Sequence, residues 1–165
     1  VRRGRRCRHP CLDGLDQCEQ AALAAVYLAR PNRRLTEAAA NVSMEPPYAA
    51  VHIRRGDKRR ERKGPALSVS AYADALKRFP DLSRVWLMTE DPRVAEESQS
   101  MGWYLTEFSR TGKPEATTEN IGAVALNSLV NLEVAVNASA FVGADDSTWF
   151  RFVLMLAMGL SLIHI

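Results

Sequence analysis

The run Tyr48-Ala49-Ala50-Val51-His52-Ile53 ends abruptly at the charged sequence Arg54-Arg55-Gly56-Asp57-Lys58. The first part is apolar, is rich in residues that favour strands and follows two prolines, which predicts a short buried strand. Residues 56–67 are charged and contain two glycines and a proline, which predicts a loop. The sequence therefore places a cluster of charges at the carboxyl end of a buried strand.

Short apolar strands and helices alternate on both sides of this run. Strands are also predicted over 85–88, 103–108 and 140–142. Helices are predicted over 15–29, 33–42, 71–79 (capped by Ser70), 92–99 (capped by Asp91), 120–137 and 148–158. This alternation predicts an α/β fold with a Rossmann-like parallel sheet flanked by helices. Ligands of such sheets bind at the carboxyl ends of the strands, so the loops after Ile53, Met88 and Val142 are the candidate site.

Length and composition indicate one globular domain of 165 residues with a net charge of +3. We expect a basic linker over 1–12, the domain over 13–160 and a non-native tail over 161–165. The chain begins with Val and has neither an apolar signal-peptide core nor an apolar stretch long enough to span a membrane. These features predict a piece of a longer protein.

Three cysteines, Cys7, Cys11 and Cys18, lie near the start of the chain. An odd count leaves at least one of them unpaired within this chain, and their disulfide state stays open. His9 is the one additional ligand candidate beside them, so we do not predict a metal site.

The charges after the first strand suit an anionic ligand. The guanidinium groups of Arg54 and Arg55 can each grip two phosphate oxygens, while Asp57 can orient one of them and Lys58 adds a compact charge. His52 lies inside the strand on the face opposite Val51 and Ile53, where it can contact a base or a sugar. Three other interpretations stay open: a solvated charge run, an adhesion tripeptide at 55–57, and a nucleic-acid surface over 58–63, although no aromatic residue for base stacking is interleaved there.

The pattern His-x-Arg-Arg-x-Asp-Lys after an apolar strand resembles the signature of α-1,6-fucosyltransferases and related nodulation fucosyltransferases, glycosyltransferase family 23. The resemblance extends over 30–158. It includes an acidic pair and proline within 85–92, a helix over 131–139, and a strand, serine-containing turn and helix over 141–151, all in the expected order.

The resemblance implies the donor-binding, C-terminal half of a two-domain, GT-B-like glycosyltransferase. Such an enzyme transfers L-fucose from GDP-fucose to a glycan or glycoprotein with inversion, and it requires neither a metal nor a cofactor. It implies no nucleic-acid partner, membrane attachment only through an anchor that lies outside this sequence, and a Golgi or secretory location in eukaryotes. The alternatives are an O-fucosyltransferase-type enzyme acting on another acceptor, or an inactive nucleotide- or carbohydrate-binding domain.

The same resemblance assigns roles to individual residues. Arg54 is the first choice for the β-phosphate and Arg55 the second, Lys58 assists near the acceptor, and His52 holds the nucleotide. Ser147 and Thr148 precede a helix whose first amides suit a phosphate. The remaining candidates are Asn131, where relatives carry an Asp that reads guanine, Glu61 as general base one position earlier than in the family, and Glu90 and Asp91 as supporting residues.

Overall fold

The computed structural model describes residues 22, 25, 26, 28–42, 44–55, 66–106, 117, 120–144 and 147–163, with side chains through 160. Their elements run α1 (Arg33–Ala40), β1 (Ala49–Ile53), α2 (Val69–Leu76), β2 (Val85–Thr89), α3 (Pro92–Gln99), α4 (Ile121–Val136), β3 (Ala140–Gly143) and α5 (Thr148–Ile163). The predicted α/β class is confirmed, with a small three-stranded parallel sheet flanked by helices among the described residues.

The described strands form a parallel sheet in the order β2-β1-β3. In this register His52 lies beside Met88 on one side and beside Gly143 on the other. Each face of the sheet is covered by helices, which explains why every residue of β1 and β2 is buried.

The third strand predicted over 103–108 is wrong for its described part, 103–106. Of these residues only Tyr104 pairs, in an isolated parallel bridge to Trp86 at the outer edge of β2. The Tyr104 amide donates to the Val85 carbonyl at 2.7 Å, and the Leu87 amide donates to the Tyr104 carbonyl at 3.1 Å. At the edge of a sheet water satisfies backbone groups, so nothing forces the ladder to continue.

Alternation along β1 assigns its side chains to two cores. Ala49, Val51 and Ile53 pack on the side of α2 and α3, with Val69 and Val94 in the same cluster. Ala50 packs on the opposite side, in a cluster with the sheet residues Trp86 and Met88 and with Val130 of α4 and Val153 of α5. The period of two places His52 on this second face, as predicted.

Polar caps explain where the shorter helices begin. The Asn32 side chain accepts from the Leu35 amide at 3.0 Å, and the Asp91 side chain accepts from the Arg93 amide at 3.0 Å, as predicted for Asp91. The predicted cap of α2 is wrong, because Ser68 rather than Ser70 accepts from the Ala71 amide, at 3.2 Å. The helix therefore begins at Val69. It ends at Leu76 rather than at the predicted residue 79, since a residue before a proline is disfavoured in a helix.

The last helix is longer than predicted. It continues to Ile163, beyond the predicted end at 158 and into the segment expected to be a non-native tail. A Cβ atom on Gly159 would lie 2.5 Å from the Ala22 carbonyl oxygen, so α5 packs closely on the N-terminal segment. Ala22, Ala25, Val26 and Leu28 are helical, within the predicted helix 15–29.

Candidate functional site

The strand order creates a crevice between the ends of β1 and β3. From β1 the chain moves outward to β2 and Tyr104, and then crosses through α4 to the other side of β1. In open parallel sheets the point at which the strand order reverses is the usual ligand site. Arg54 follows β1 and Ala144 follows β3, so two of the three predicted loops start at this point.

His52 is the buried polar side chain next to this crevice. It is 3% exposed, and within the described part of the chain its Nδ1 atom has no hydrogen-bond partner. Burial and, secondarily, the nearby positive charge of Arg54 lower the pKa of His52 from 6.5 to about 4. The imidazole is therefore neutral at pH 7, and its buried Nδ1 atom is a polar group without a partner among the described residues.

Arg54 is half-buried directly after the last residue of β1. Extending the alternation of β1 by one residue predicts that its side chain lies on the His52 side, where α4 and α5 cover the sheet. Its influence on the pKa of His52 agrees with this placement. Arg54 is therefore next to the crevice.

Arg55 has different surroundings. Its side chain is 14% exposed, with Nη1 3.5 Å from the Glu97 Oε1 atom of α3 and Nη2 donating to the Leu67 carbonyl at 3.0 Å. Its backbone amide donates to Glu90 Oε1 at 2.8 Å. Arg55, predicted to grip the diphosphate together with Arg54, is thus held toward α3.

The predicted supporting acids are both part of the backbone framework. Glu90 accepts from the Arg55 amide, and Asp91 caps α3 while its own amide donates to the Thr89 hydroxyl at 3.1 Å. Through these hydrogen bonds the two residues position the starts of the loops after β1 and β2.

Ser147 and Thr148 begin α5 beside β3. Ser147 is buried, its hydroxyl accepts from the Phe150 amide at 3.4 Å, and its carbonyl accepts from the Arg151 amide at 3.1 Å. Thr148 is exposed. Capping by Ser147 and binding of an anion at the first-turn amides of this helix are compatible, because a helix start has several amides without intrahelical acceptors.

Gly143 is a site residue that sequence reasoning did not single out. A Cβ atom there would lie 2.4 Å from Phe150 Cδ2, and the Phe150 ring stacks on Phe141 with centroids 5.1 Å apart. The absence of a side chain lets the first turn of α5 approach the end of β3. The signal in the sequence was a glycine at the end of a strand and just before a helix start.

Asn131 lies in the core rather than in the crevice. It is 0% exposed, its Oδ1 atom accepts from Trp86 Nε1 at 2.9 Å, and its Nδ2 atom donates to the Asn127 carbonyl at 2.9 Å. The Asn131 side chain is therefore not accessible for the predicted contact with guanine. Such a buried pair is invisible in sequence, where Asn131 is one polar residue on an apolar helix.

Three predicted site residues, Asp57, Lys58 and Glu61, lie outside the described residues, as do Cys7, Cys11 and Cys18. Among the described residues, no group of three or more His, Cys, Asp or Glu side chains is arranged to hold a metal ion. Over the same part of the chain, none of the helices combines the length and the apolar character needed to cross a membrane.

No protein-family model matches this chain, and no curated protein matches it. Function is therefore inferred from the motif and from the geometry of the crevice.

Proposed function

We propose that this domain binds the diphosphate of a nucleotide sugar in the crevice between β1 and β3. The supporting observation is the strand order, which brings the loop carrying Arg54 next to the turn that starts α5. One flank supplies a guanidinium group, and the other supplies the amides and hydroxyls of a helix N-terminus. The buried, neutral His52 adds a polar contact beside them.

The more specific proposal follows the motif: GDP-fucose is the donor, and the domain is the donor-binding half of an inverting, α-1,6-fucosyltransferase-like enzyme. The difficult step is the departure of GDP while the fucose ring gains positive charge. A preorganised guanidinium group and oriented amides stabilise the negative charge that develops on the β-phosphate. Lys58 and Glu61 keep their proposed roles near the acceptor, and a second Rossmann-like half would supply the acceptor site in a secretory compartment.

Titration calorimetry with GDP and GDP-fucose tests the binding proposal directly. We expect Arg54→Ala to weaken GDP affinity at least about tenfold, because a charge-assisted phosphate contact contributes about 1.5–3 kcal/mol. Arg93→Ala, which removes an exposed arginine from α3, is the matched control and should leave the affinity unchanged. Equal affinities for the Arg54→Ala variant and the unsubstituted chain would remove the basis of the proposal.

Turnover separates the enzyme from its alternatives. With the complete protein, release of GDP and transfer of labelled fucose to an N-glycan acceptor would support the α-1,6-type activity. Transfer to a protein hydroxyl would favour an O-fucosyltransferase-type enzyme. GDP binding without transfer to either acceptor would favour an inactive nucleotide-binding domain, a candidate supported by the burial of Asn131 away from the crevice.

A further inference from the structure

Arg55 attaches the start of the loop after β1 to other parts of the molecule. Arg55 bonds through its amide to Glu90, through Nη2 to the Leu67 carbonyl and through Nη1 to Glu97, at 2.8, 3.0 and 3.5 Å. These partners belong to three separate places: the end of β2, the segment before α2, and α3. The start of the loop is thus joined to the end of β2, to α3 and to the residue before the cap of α2.

The strand alternation explains why neighbouring arginines separate. Val51 and Ile53 point toward α2 and α3, and Arg55 continues that series, whereas His52 and Arg54 belong to the opposite face. The crevice next to α5 lies on the face of His52. An arginine held by Glu97 on α3 is therefore turned away from the place where the proposed diphosphate lies.

We propose that Arg55 is a positioning residue, a strut that holds the backbone of Arg54 at the edge of the sheet, and not a second ligand of the phosphate. The negative charge of Glu97 and the carbonyl of Leu67 anchor its guanidinium group. The placement of Arg55 follows from these contacts alone, whereas its consequence for ligand binding rests on the proposed function.

The two possible roles of Arg55 predict different effects of the substitution Glu97→Gln on GDP affinity. If Arg55 were a phosphate ligand, Glu97→Gln would release its guanidinium group and leave GDP affinity unchanged or increased. If Arg55 is a strut, Glu97→Gln loosens Arg54 and lowers the affinity. Glu96→Gln makes the same charge change one residue away on the same helix and is the matched control.

Hydrogen exchange on the ligand-free chain tests the strut whether or not GDP binds. We expect the protection of the backbone amide at position 55 to fall about two- to fivefold in Glu97→Gln, the range given by a partly exposed ion pair, and in Arg55→Ala as well. The Glu96→Gln chain should exchange like the unsubstituted one. Unchanged protection of the Arg55 amide in both Arg55→Ala and Glu97→Gln would overturn the strut.

Calorimetry with GDP and with inorganic pyrophosphate then tests the consequence. We expect Glu97→Gln and Arg55→Ala each to weaken binding about two- to fivefold. The double variant should be no weaker than Arg55→Ala alone, because Arg55→Ala already removes the contact with Glu97. Unchanged or tighter binding by Glu97→Gln would overturn the inference and restore Arg55 as a ligand. Absence of GDP binding by the unsubstituted chain would remove the proposed function, and the exchange result would still decide the strut.

Discussion

At the scale of single residues, His52 shows how burial sets protonation. The side chain lies in a strand covered on both faces, and its Nδ1 atom has no partner among the described residues. Transfer of an imidazolium ion into such a place is unfavourable, and the charge of Arg54 adds to the penalty. The chain therefore folds with a neutral histidine.

This neutral state predicts a pH dependence of stability. The pKa of His52 is about 4 in the folded chain and about 6.5 when unfolded, so between these values the unfolded state binds more protons. The free energy of unfolding therefore includes the full contribution of His52 above pH 6.5. This contribution is lost as the pH falls toward 4, and the free energy of unfolding falls by up to about 1.4 kcal/mol per pH unit. Urea unfolding at a series of pH values measures it.

His52→Gln is the comparison for that series, because it removes this titration and leaves every other group in place. The free energy of unfolding of the variant should change less between pH 6.5 and 4 than that of the unsubstituted chain. Parallel curves for the two chains would show that His52 titrates normally in the fold.

At the scale of elements, the unit β3–turn–α5 depends on a close approach. Gly143 ends the strand, Phe150 covers it from the first turn of the helix, and Ser147 caps that helix. The Phe150 ring cannot move away freely, because it stacks on Phe141 of the same strand. This approach sets where the amides of α5 stand relative to β1.

A methyl group at Gly143 should therefore push α5 away from the sheet. We expect Gly143→Ala to lower the free energy of unfolding by about 1–3 kcal/mol through overpacking, and to weaken GDP binding. Gly122→Ala is the matched control, because a Cβ atom at Gly122 in α4 meets no atom within 4 Å. It should be neutral or stabilise the chain by up to about 1 kcal/mol.

Truncation of the clashing ring provides a second check. In the Gly143→Ala background, Phe150→Leu should restore part of the lost stability, since the smaller side chain makes room for the methyl group. Purely additive losses in the double variant would contradict the proposed clash.

At the scale of the whole molecule, one polar pair joins two layers of the fold. Trp86 lies in the sheet and Asn131 in α4, and both are 0% exposed. The indole of Trp86 donates to Asn131 Oδ1 at 2.9 Å. Buried donors without acceptors are costly, so this bond selects how α4 is rotated over the sheet.

Removal of the acceptor should destabilise the packing of these layers. We expect Asn131→Leu to lower the free energy of unfolding by about 1–3 kcal/mol, because Trp86 Nε1 loses its partner. The double variant with Trp86→Phe should lose less than the sum of the single variants, with a coupling of about 1 kcal/mol in urea unfolding.

The same variant examines the predicted role of Asn131 in reading guanine. Because the side chain is buried, the preference of Asn131→Leu for GDP over ADP should equal that of the unsubstituted chain. A selective loss of that preference would return Asn131 to the ligand site and contradict the packing role.

Local patterns in the sequence were sufficient for most elements of the fold. The buried strands at 49–53 and 85–89, the helix capped by Asp91 and the long helix ending at Val136 follow from apolar runs, caps and prolines. The strand predicted at 103–108 failed over its described part, 103–106, because pairing at an edge depends on a partner strand. The cap of α2 failed because two serines, Ser68 and Ser70, satisfy the same local rule and only the packed helix selects one.

By itself the sequence determined that the chain alternates strands with helices and that Arg54 and Arg55 leave the end of a buried strand, because periodicity and charge act between neighbours along the chain. Only the tertiary structure decided that Arg55 is held by Glu97 and that Asn131 bonds Trp86. Those outcomes depend on atoms many residues apart, which meet only when the helices cover the two faces of the sheet.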